Sequence, residues 1–198
     1  MPSAVPIVGL TGGMGAGKST ALEILRRLGA AVLSTDAVVH ELLASEPVRA
    51  AVVERFGAKV APGGVVDRAA VAAEAFASDD GAAWLEGLLW PLVGERAGEW
   101  ISEVRQRSPA PRAAVIEVPL LFESGLTAGY DATIAVISDE RVRRQRAAGR
   151  GHELADERSS RQLPQEEKAR RATFVVRNDG TREDLEGELS AVLDKLAR

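Results

Sequence analysis

A glycine-rich run near the N-terminus constrains this chain more than any other feature. Residues 12–20 read Gly-Gly-Met-Gly-Ala-Gly-Lys-Ser-Thr; they follow the apolar run 5–10 and fit the pattern G-x-x-x-x-G-K-[ST]. Glycines let the backbone N–H groups of such a loop turn around an anion, and the helix that follows presents its positive N-terminal end. The pattern predicts that residues 12–20, here named the phosphate loop, bind a nucleoside triphosphate.

The phosphate loop contains most of the predicted nucleotide ligands. Lys18 would place its charge near the β- and γ-phosphates, and Ser19 would offer its hydroxyl to Mg²⁺. The other predicted contacts from the loop are Gly13, Gly15, Ala16, Gly17 and Thr20. The alternative is a glycine-rich turn with a chance lysine. Helical periodicity over residues 21–28, followed by Gly29 at a helix C-cap position, favours the nucleotide site.

Composition narrows the class of protein. The 198 residues carry 45% hydrophobic and 27% charged side chains, which is typical of one globular domain with room for an inserted subdomain. A net charge of −4 argues against a dedicated nucleic-acid binder. The absence of cysteine excludes thiol catalysis and cysteine metal sites. His40 and His152 are the only histidines, so a histidine metal site is not expected.

The sequence contains no signal for membrane insertion or export. The N-terminus lacks the basic and apolar regions of a signal peptide, and no stretch approaches about twenty apolar residues. We therefore expect a cytoplasmic protein with no membrane partner. From the net charge we expect no nucleic-acid partner. The expected state is a monomer or weak oligomer.

Five short apolar runs predict the strands of a sheet. They lie at residues 5–10, 30–34, 113–118, 131–138 and 173–177. Continuous apolar strands are buried on both faces, and helical patterns separate them along the chain. Both properties favour an α/β fold with a doubly wound, five-stranded parallel sheet.

The predicted second and third strands are separated by far more chain than one crossover needs, so a helical substrate insertion is expected at about 37–112. Helical patterns cover 46–56 and 68–76, and a further helix over 84–101 is predicted to be interrupted at Pro91. The rest of this single domain would be a core at 1–36, 113–138 and 166–198, with a lid at about 139–165. The three tryptophans are Trp84, Trp90 and Trp100, and a place in the core or at an interface is favoured over a ligand platform for them.

Two acidic residues lie at predicted strand ends. Asp36 follows the second strand and suits a general base, but it could equally cap a helix that starts at Ala37. Glu117 could orient Mg²⁺-bound water or an acceptor hydroxyl, or it could be a structural carboxylate paired with an arginine. Glu123 is a weaker candidate for such roles.

An arginine-dense segment at 139–150 follows the fourth predicted strand. Most of its arginines are predicted to form a solvated face. Arg146 and Arg150 are four residues apart on one helical face, so they could close over a triphosphate and stabilise transition-state charge.

Together, these segments resemble the dephospho-CoA kinase family almost end to end. The residues that carry the resemblance are the run 9–20, Thr35-Asp36, Asp67-Arg68, Phe76, Leu85-Glu86, Pro91-Leu92-Val93, Pro119-Leu120-Leu121-Phe122-Glu123, Arg146, Arg150, Arg158, Gln162, Lys168, Asn178 and Gly180. The resemblance implies ATP-dependent, Mg²⁺-assisted phosphorylation of the ribose 3′-hydroxyl of dephospho-CoA, the last step of coenzyme A synthesis. It also implies a nucleotide-monophosphate-kinase-like core, a helical CoA-binding subdomain and a lid.

The resemblance further implies roles for single residues. Asp36 would be the base that acts on the acceptor hydroxyl, with Lys18 and Arg146 as further catalytic residues. Arg146 and Arg150 would contact the ATP phosphates, and Asn178 would lie near the adenine.

This chain departs from the family pattern in three places. Ser34 stands where the family often has aspartate, and Trp90 stands where it usually has histidine. The segment between Arg150 and Arg158 is shorter than usual, so the assignment of Arg158 depends on where the gap is placed.

Two other functions remain open from the sequence. One is a kinase for a different small acceptor, such as a nucleoside monophosphate or shikimate, although the large insertion favours an extended acceptor. The other is a nucleotide-dependent switch. GTP switches carry an Asn-Lys-x-Asp motif, which Asn178-Asp179-Gly180-Thr181 does not match.

Overall fold

Five parallel strands form one sheet in the order β2-β3-β1-β4-β5. They are β1 (Ile7–Gly12), β2 (Ala31–Ser34), β3 (Ala114–Glu117), β4 (Ala132–Ile137) and β5 (Phe174–Arg177). This computed structural model describes residues 5–143 and 162–197. The predicted five-stranded parallel α/β sheet is confirmed.

Helices occupy most of the chain between the strands. They are α1 (Lys18–Arg27), α2 (Thr35–Ala44), α3 (Glu46–Phe56), α4 (Arg68–Phe76), α5 (Asp79–Arg105), α6 (Gln165–Arg171) and α7 (Arg182–Leu196). Short 3₁₀ turns lie at Ala58–Val60, Pro62–Gly64 and Leu126–Gly129, and residues 140–143 are also helical. No helix among the described residues is long and apolar enough to span a bilayer.

The sheet is buried because both of its faces are covered. Every residue of β1, β3 and β4 is buried. Successive strand residues point to opposite faces. Val115 packs in a cluster with the buried leucines of α1 and α7, whereas Ala114 packs with Val104 and Trp100 of α5. This two-sided burial explains why the strands are continuous apolar runs.

The chain divides into two compact units. The first, named the core unit, contains the described residues up to Ser34 and from Trp100 onward, and the second, the helical unit, spans Thr35–Glu99. The helical unit has its own apolar cluster, which includes Leu43, Val52 and Val71. The predicted insertion at about 37–112 extends beyond the helical unit at its C-terminal end.

One expectation for α5 was wrong. The helix runs through Pro91 without interruption. Proline cannot donate a bond to the carbonyl four residues earlier, but Gly87 and Pro91 are both exposed, so water can satisfy that carbonyl. Trp90 is 48% exposed, so it is not a core residue, and whether it packs at an interface stays untested. Trp84 does pack, since its ring meets that of Phe56 edge to face at 5.4 Å.

The boundaries of β1 and α1 differ from the predicted ones at their N-terminal ends. β1 lies two residues later than the predicted run 5–10, and α1 already begins at Lys18. Gly29 ends α1 as expected. The φ angle of Gly29 is +92°. The Gly29 N–H donates to the Arg26 carbonyl, and the Ala30 N–H donates to the Leu25 carbonyl. These two bonds form a Schellman motif.

Candidate active site

The phosphate loop joins the end of β1 to α1, and its glycines meet specific steric demands. Gly15 and Gly17 have φ angles of +73° and +95°, where a side chain would be strained. A Cβ atom on Gly12 would collide with the Val136 carbonyl oxygen of β4. The loop can therefore adopt this path only with glycine at these positions.

Lys18 folds back across the loop that precedes it. Its Nζ donates to the carbonyls of Gly12 and Gly13, at 3.0 and 3.3 Å. Lys18 is also the first residue of α1, whose N-cap Gly17 has no side chain to satisfy the free N–H groups. An ammonium and a helix N-terminus thus converge on one loop, an arrangement suited to a phosphate chain.

Asn178 fixes the far side of the loop. The side-chain Nδ2 donates to the Ala16 carbonyl at 2.8 Å, and the Asn178 backbone N–H donates to the Ile137 carbonyl at 2.9 Å. The residue is buried and directly follows β5. The ends of β4 and β5 therefore hold the phosphate loop through one amide side chain.

Glu117 ends β3 beside the ends of both neighbouring strands. It pairs in register with Leu10 of β1 and with Ser34 of β2. Its carboxylate Oε2 accepts a 2.8 Å bond from the Ser34 hydroxyl, and the residue is only 6% exposed. Ser34, the departure from the family pattern, thus serves as a hydrogen-bond donor to Glu117.

Oxygen donors are the ligands that Mg²⁺ prefers, together with water and substrate phosphates. Glu117 and Ser19 supply one carboxylate and one hydroxyl of this kind. Among residues 5–143 and 162–197, no group of three or more His, Asp or Glu side chains could hold a metal by itself. The donor set fits an ion held mainly by a nucleotide and water.

Asp36 lies in the first turn of α2, in the helical unit. Because α2 begins at Thr35, Asp36 is inside the helix rather than ahead of one that starts at Ala37. Its side chain is exposed, and it makes no hydrogen bond or ion pair within the described ranges. A carboxylate in that state is available to an incoming group.

His40 lies one helical turn after Asp36, on the same face of α2. Its Nδ1 is 2.7 Å from Arg68 Nη1 at the start of α4. The arginine can only donate, so Nδ1 is the acceptor of this pair. The helical unit thus places a guanidinium and an imidazole close to the Asp36 turn.

Comparison with known proteins decides the family. The family model for dephospho-CoA kinase matches residues 6–184. The chain belongs to the dephospho-CoA kinase family. The matched range includes the phosphate loop, Asp36 and Glu117.

Curated relatives match over nearly their full lengths. The dephospho-CoA kinase of Deinococcus radiodurans is 39% identical over 192 residues, covering 96% of this chain and 91% of that protein. The dephospho-CoA kinase of Rhizobium meliloti is 35% identical, with 96% and 97% covered.

Solved structures show the same fold. The protein TT1252 from Thermus thermophilus has a TM-score of 0.80 and 32% identity, with 98% of each chain covered. A dephospho-CoA kinase from Campylobacter jejuni has a TM-score of 0.64 at 21% identity, covering 96% of this chain and 97% of that one. Shikimate kinase from Aquifex aeolicus has a TM-score of 0.53 at 15% identity, with 96% of each chain covered. At that identity the likeness shows the fold alone.

Two predicted phosphate ligands of this dephospho-CoA kinase family member lie outside the described residues. These are Arg146 and Arg150 of the predicted lid, and Arg158 also lies outside the described residues. Their roles stay predictions.

A buried lysine near the loop was missed as a site residue by sequence reasoning. Lys168 of α6 is 0% exposed, and its Nζ lies 2.8 Å from Glu123 Oε1, 2.6 Å from the Pro119 carbonyl and 3.3 Å from Thr11 Oγ1. Burial lowers the pKa of Lys168 from its ordinary 10.5, while the bond to Glu123 opposes that shift. Only its place in the family pattern pointed to it.

Arg143 was also missed, because the segment 139–150 reads as a solvated charge run. It lies directly on the phosphate loop: a Cβ atom built on Gly13 would lie 2.8 Å from Arg143 Nη1. One built on Gly15 would lie 2.8 Å from the Arg143 carbonyl oxygen. Such contacts between distant parts of the chain leave no local pattern.

Proposed function

We propose that this chain transfers the γ-phosphate of ATP to the ribose 3′-hydroxyl of dephospho-CoA, giving coenzyme A and ADP. The observation that carries the proposal is the dephospho-CoA kinase match over residues 6–184, within which the phosphate loop has the geometry of a triphosphate site. Shikimate kinase from Aquifex aeolicus shares the fold at 15% identity. A likeness of fold at that level does not support shikimate as the acceptor of this chain.

Asp36 is proposed as the base for the acceptor. The 3′-oxygen of the ribose attacks the γ-phosphorus, and the bond from that phosphorus to the β,γ-bridging oxygen breaks. The electron pair of that bond leaves with ADP, and the hydroxyl proton passes to the Asp36 carboxylate. The exposed position of Asp36 and its lack of a partner within the described ranges support this role.

The donor side of the site is assigned to the loop. Backbone N–H groups of Gly13, Gly15, Ala16 and Gly17, with Ser19 and Thr20 at the start of α1, would surround the phosphates. Lys18 would exchange its bonds to the loop carbonyls for bonds to the β- and γ-phosphates. Arg146 and Arg150 are proposed to add positive charge as the γ-phosphate is transferred.

Ser19 and Glu117 are the residues proposed to hold Mg²⁺. When bound, the ion would neutralise negative charge on the phosphates. Glu117 is held for this role by the Ser34 hydroxyl. Asn178 is proposed to lie near the adenine, and its bond to Ala16 supports a place at the nucleotide end of the loop.

The test is acceptor-dependent formation of ADP. The purified chain receives ATP and Mg²⁺ with dephospho-CoA, shikimate or AMP in separate reactions, and Lys18→Ala serves as the control for contaminating kinases. We expect ADP to form with dephospho-CoA and to be lost in Lys18→Ala. A wild-type chain that forms ADP with shikimate or AMP, and none with dephospho-CoA, would overturn the proposal.

A further inference from the structure

Arg143 places a guanidinium at the entrance of the phosphate loop. Its Nη1 lies against Gly13 and its backbone carbonyl against Gly15, so both the side chain and the main chain contact the loop. The Arg143 backbone N–H donates to the Asp139 carbonyl at 3.0 Å, which fixes the residue in the first turn of the helix at 140–143. The backbone position of Arg143 thus directs its guanidinium toward the phosphate loop.

This guanidinium has no anionic partner within the described ranges. The Arg143 Nε is buried and makes no hydrogen bond. Two carboxylates of this region accept backbone bonds: Asp139 Oδ1 from the Arg141 N–H at 2.8 Å, and Asp179 Oδ1 from the Asp139 N–H at 2.5 Å. A partly buried cation without a partner is costly, and an anionic ligand would remove that cost.

A second cation approaches the same glycine. Lys18 Nζ is 3.3 Å from the Gly13 carbonyl, on the residue against which Arg143 Nη1 packs. Two positive side chains and the N-terminus of α1 therefore surround one short stretch of backbone. Their mutual repulsion is relieved when a polyanion lies among them.

We propose that Arg143 is a phosphate-binding residue, which contacts the β- and γ-phosphates of the bound triphosphate beside Lys18. A guanidinium stays charged and presents a planar set of donors that matches two phosphate oxygens. The residue thus adds to the donor half of the site a cation distinct from Arg146 and Arg150. The inference rests on the proposed function only in requiring a triphosphate, and it makes no use of the acceptor.

The test measures binding of inorganic tripolyphosphate, which has neither base nor sugar, by calorimetry on the full chain without Mg²⁺. Arg143→Met keeps an apolar stem of similar length and removes the charge. Hydrogen bonds to a charged group contribute about 1.5–3 kcal/mol, so we expect affinity to fall about 10- to 100-fold. ATP affinity should fall by a similar factor.

Arg141→Met is the matched control, because Arg141 is exposed in the same helical turn. It removes the same charge and should change tripolyphosphate affinity less than about twofold, as expected for a screened surface charge. If Arg143→Met does not fold, Arg143→Gln carries the same expectation with a polar end.

Two results would overturn the inference. One is a folded Arg143 variant that binds tripolyphosphate within twofold of wild type. The other is an equal loss in the Arg141 and Arg143 variants, which would reveal only general charge attraction. Either result leaves dephospho-CoA phosphorylation by the wild-type chain untouched, so the two proposals fail separately.

Discussion

The Lys168 ammonium lies 2.8 Å from Glu123 Oε1, with the lysine side chain completely shielded from solvent. The same ammonium bonds to the Pro119 carbonyl, and the Leu163 N–H donates to the same Glu123 oxygen at 2.7 Å. This pair joins α6 and the segment that precedes it to the run after β3. It thus anchors α6 to the segment that follows β3.

Breaking this pair should destabilise the fold. Lys168→Met leaves the Glu123 carboxylate largely buried without its cation, which costs about 3–5 kcal/mol for pairs of this kind. Urea unfolding followed by circular dichroism measures the change, with exposed Lys195→Met as the control. A loss no larger than that of Lys195→Met would show that the pair contributes nothing. The double variant Lys168→Met/Glu123→Leu, which removes both charges, should recover part of the loss.

Asn178→Ala should weaken ATP binding without removing any direct phosphate ligand. The variant leaves the Ala16 carbonyl without its 2.8 Å donor, so the loop must be ordered when the nucleotide binds. We expect the dissociation constant for ATP to rise about tenfold by calorimetry. Arg177→Gln, on the preceding exposed residue, should leave it unchanged; equal affinities in both variants would contradict the loop-fixing role.

Asp36→Asn should separate catalysis from donor binding. Loss of a general base lowers turnover by about two to four orders of magnitude, whereas ATP affinity should be retained. Glu41→Gln neutralises another exposed carboxylate of α2 and should keep near-normal turnover. Near-normal turnover in Asp36→Asn would leave Asp36 with a role in helix stability alone.

The capping box of α7 should make stability depend on acidic pH. Bonds from the Thr181 backbone N–H and hydroxyl lower the pKa of Asp184 below its ordinary 3.8. A lowered pKa in the folded state means that the stabilisation is complete above pH 3.8 and is lost as the pH falls through the lowered value. The stability difference between wild type and Asp184→Asn should therefore shrink with acidification.

Thermal unfolding between pH 2 and 6 measures that difference. Glu183→Gln neutralises the neighbouring acid in the same turn and is the control. If the difference for Asp184→Asn stays constant over this range, the Thr181 bonds do not stabilise the charged form.

The sheet could be predicted from the sequence because buried strands consist mostly of apolar residues, which form short local runs. The central strands β1, β3 and β4 are buried along their whole length and are therefore mostly apolar, so the apolar runs of the sequence marked strands. Gly29 and the phosphate loop glycines were predictable for a similar reason, since backbone with positive φ demands glycine. These features depend on residues that are close together in the chain.

The errors and omissions arose where distant contacts decide the outcome. Pro91 stays helical because its face of α5 is exposed, and exposure is not visible in a local pattern. Lys168 lies in the polar helix Gln165–Arg171, and its partner Thr11 is far away in the sequence. In the sequence, Arg143 cannot be distinguished from the other arginines of the segment 139–150, and only its position beside the phosphate loop sets it apart.

Following the labelled γ-phosphate tests phosphoryl transfer to dephospho-CoA most directly. The full wild-type chain is incubated with Mg²⁺, dephospho-CoA and ATP labelled at the γ-phosphate, and the labelled product is isolated and its phosphate position determined. We expect one labelled phosphate per product molecule, on the ribose 3′-oxygen, and one ADP formed for each product molecule. Label that reaches only inorganic phosphate, whether or not dephospho-CoA is present, would contradict phosphoryl transfer to dephospho-CoA.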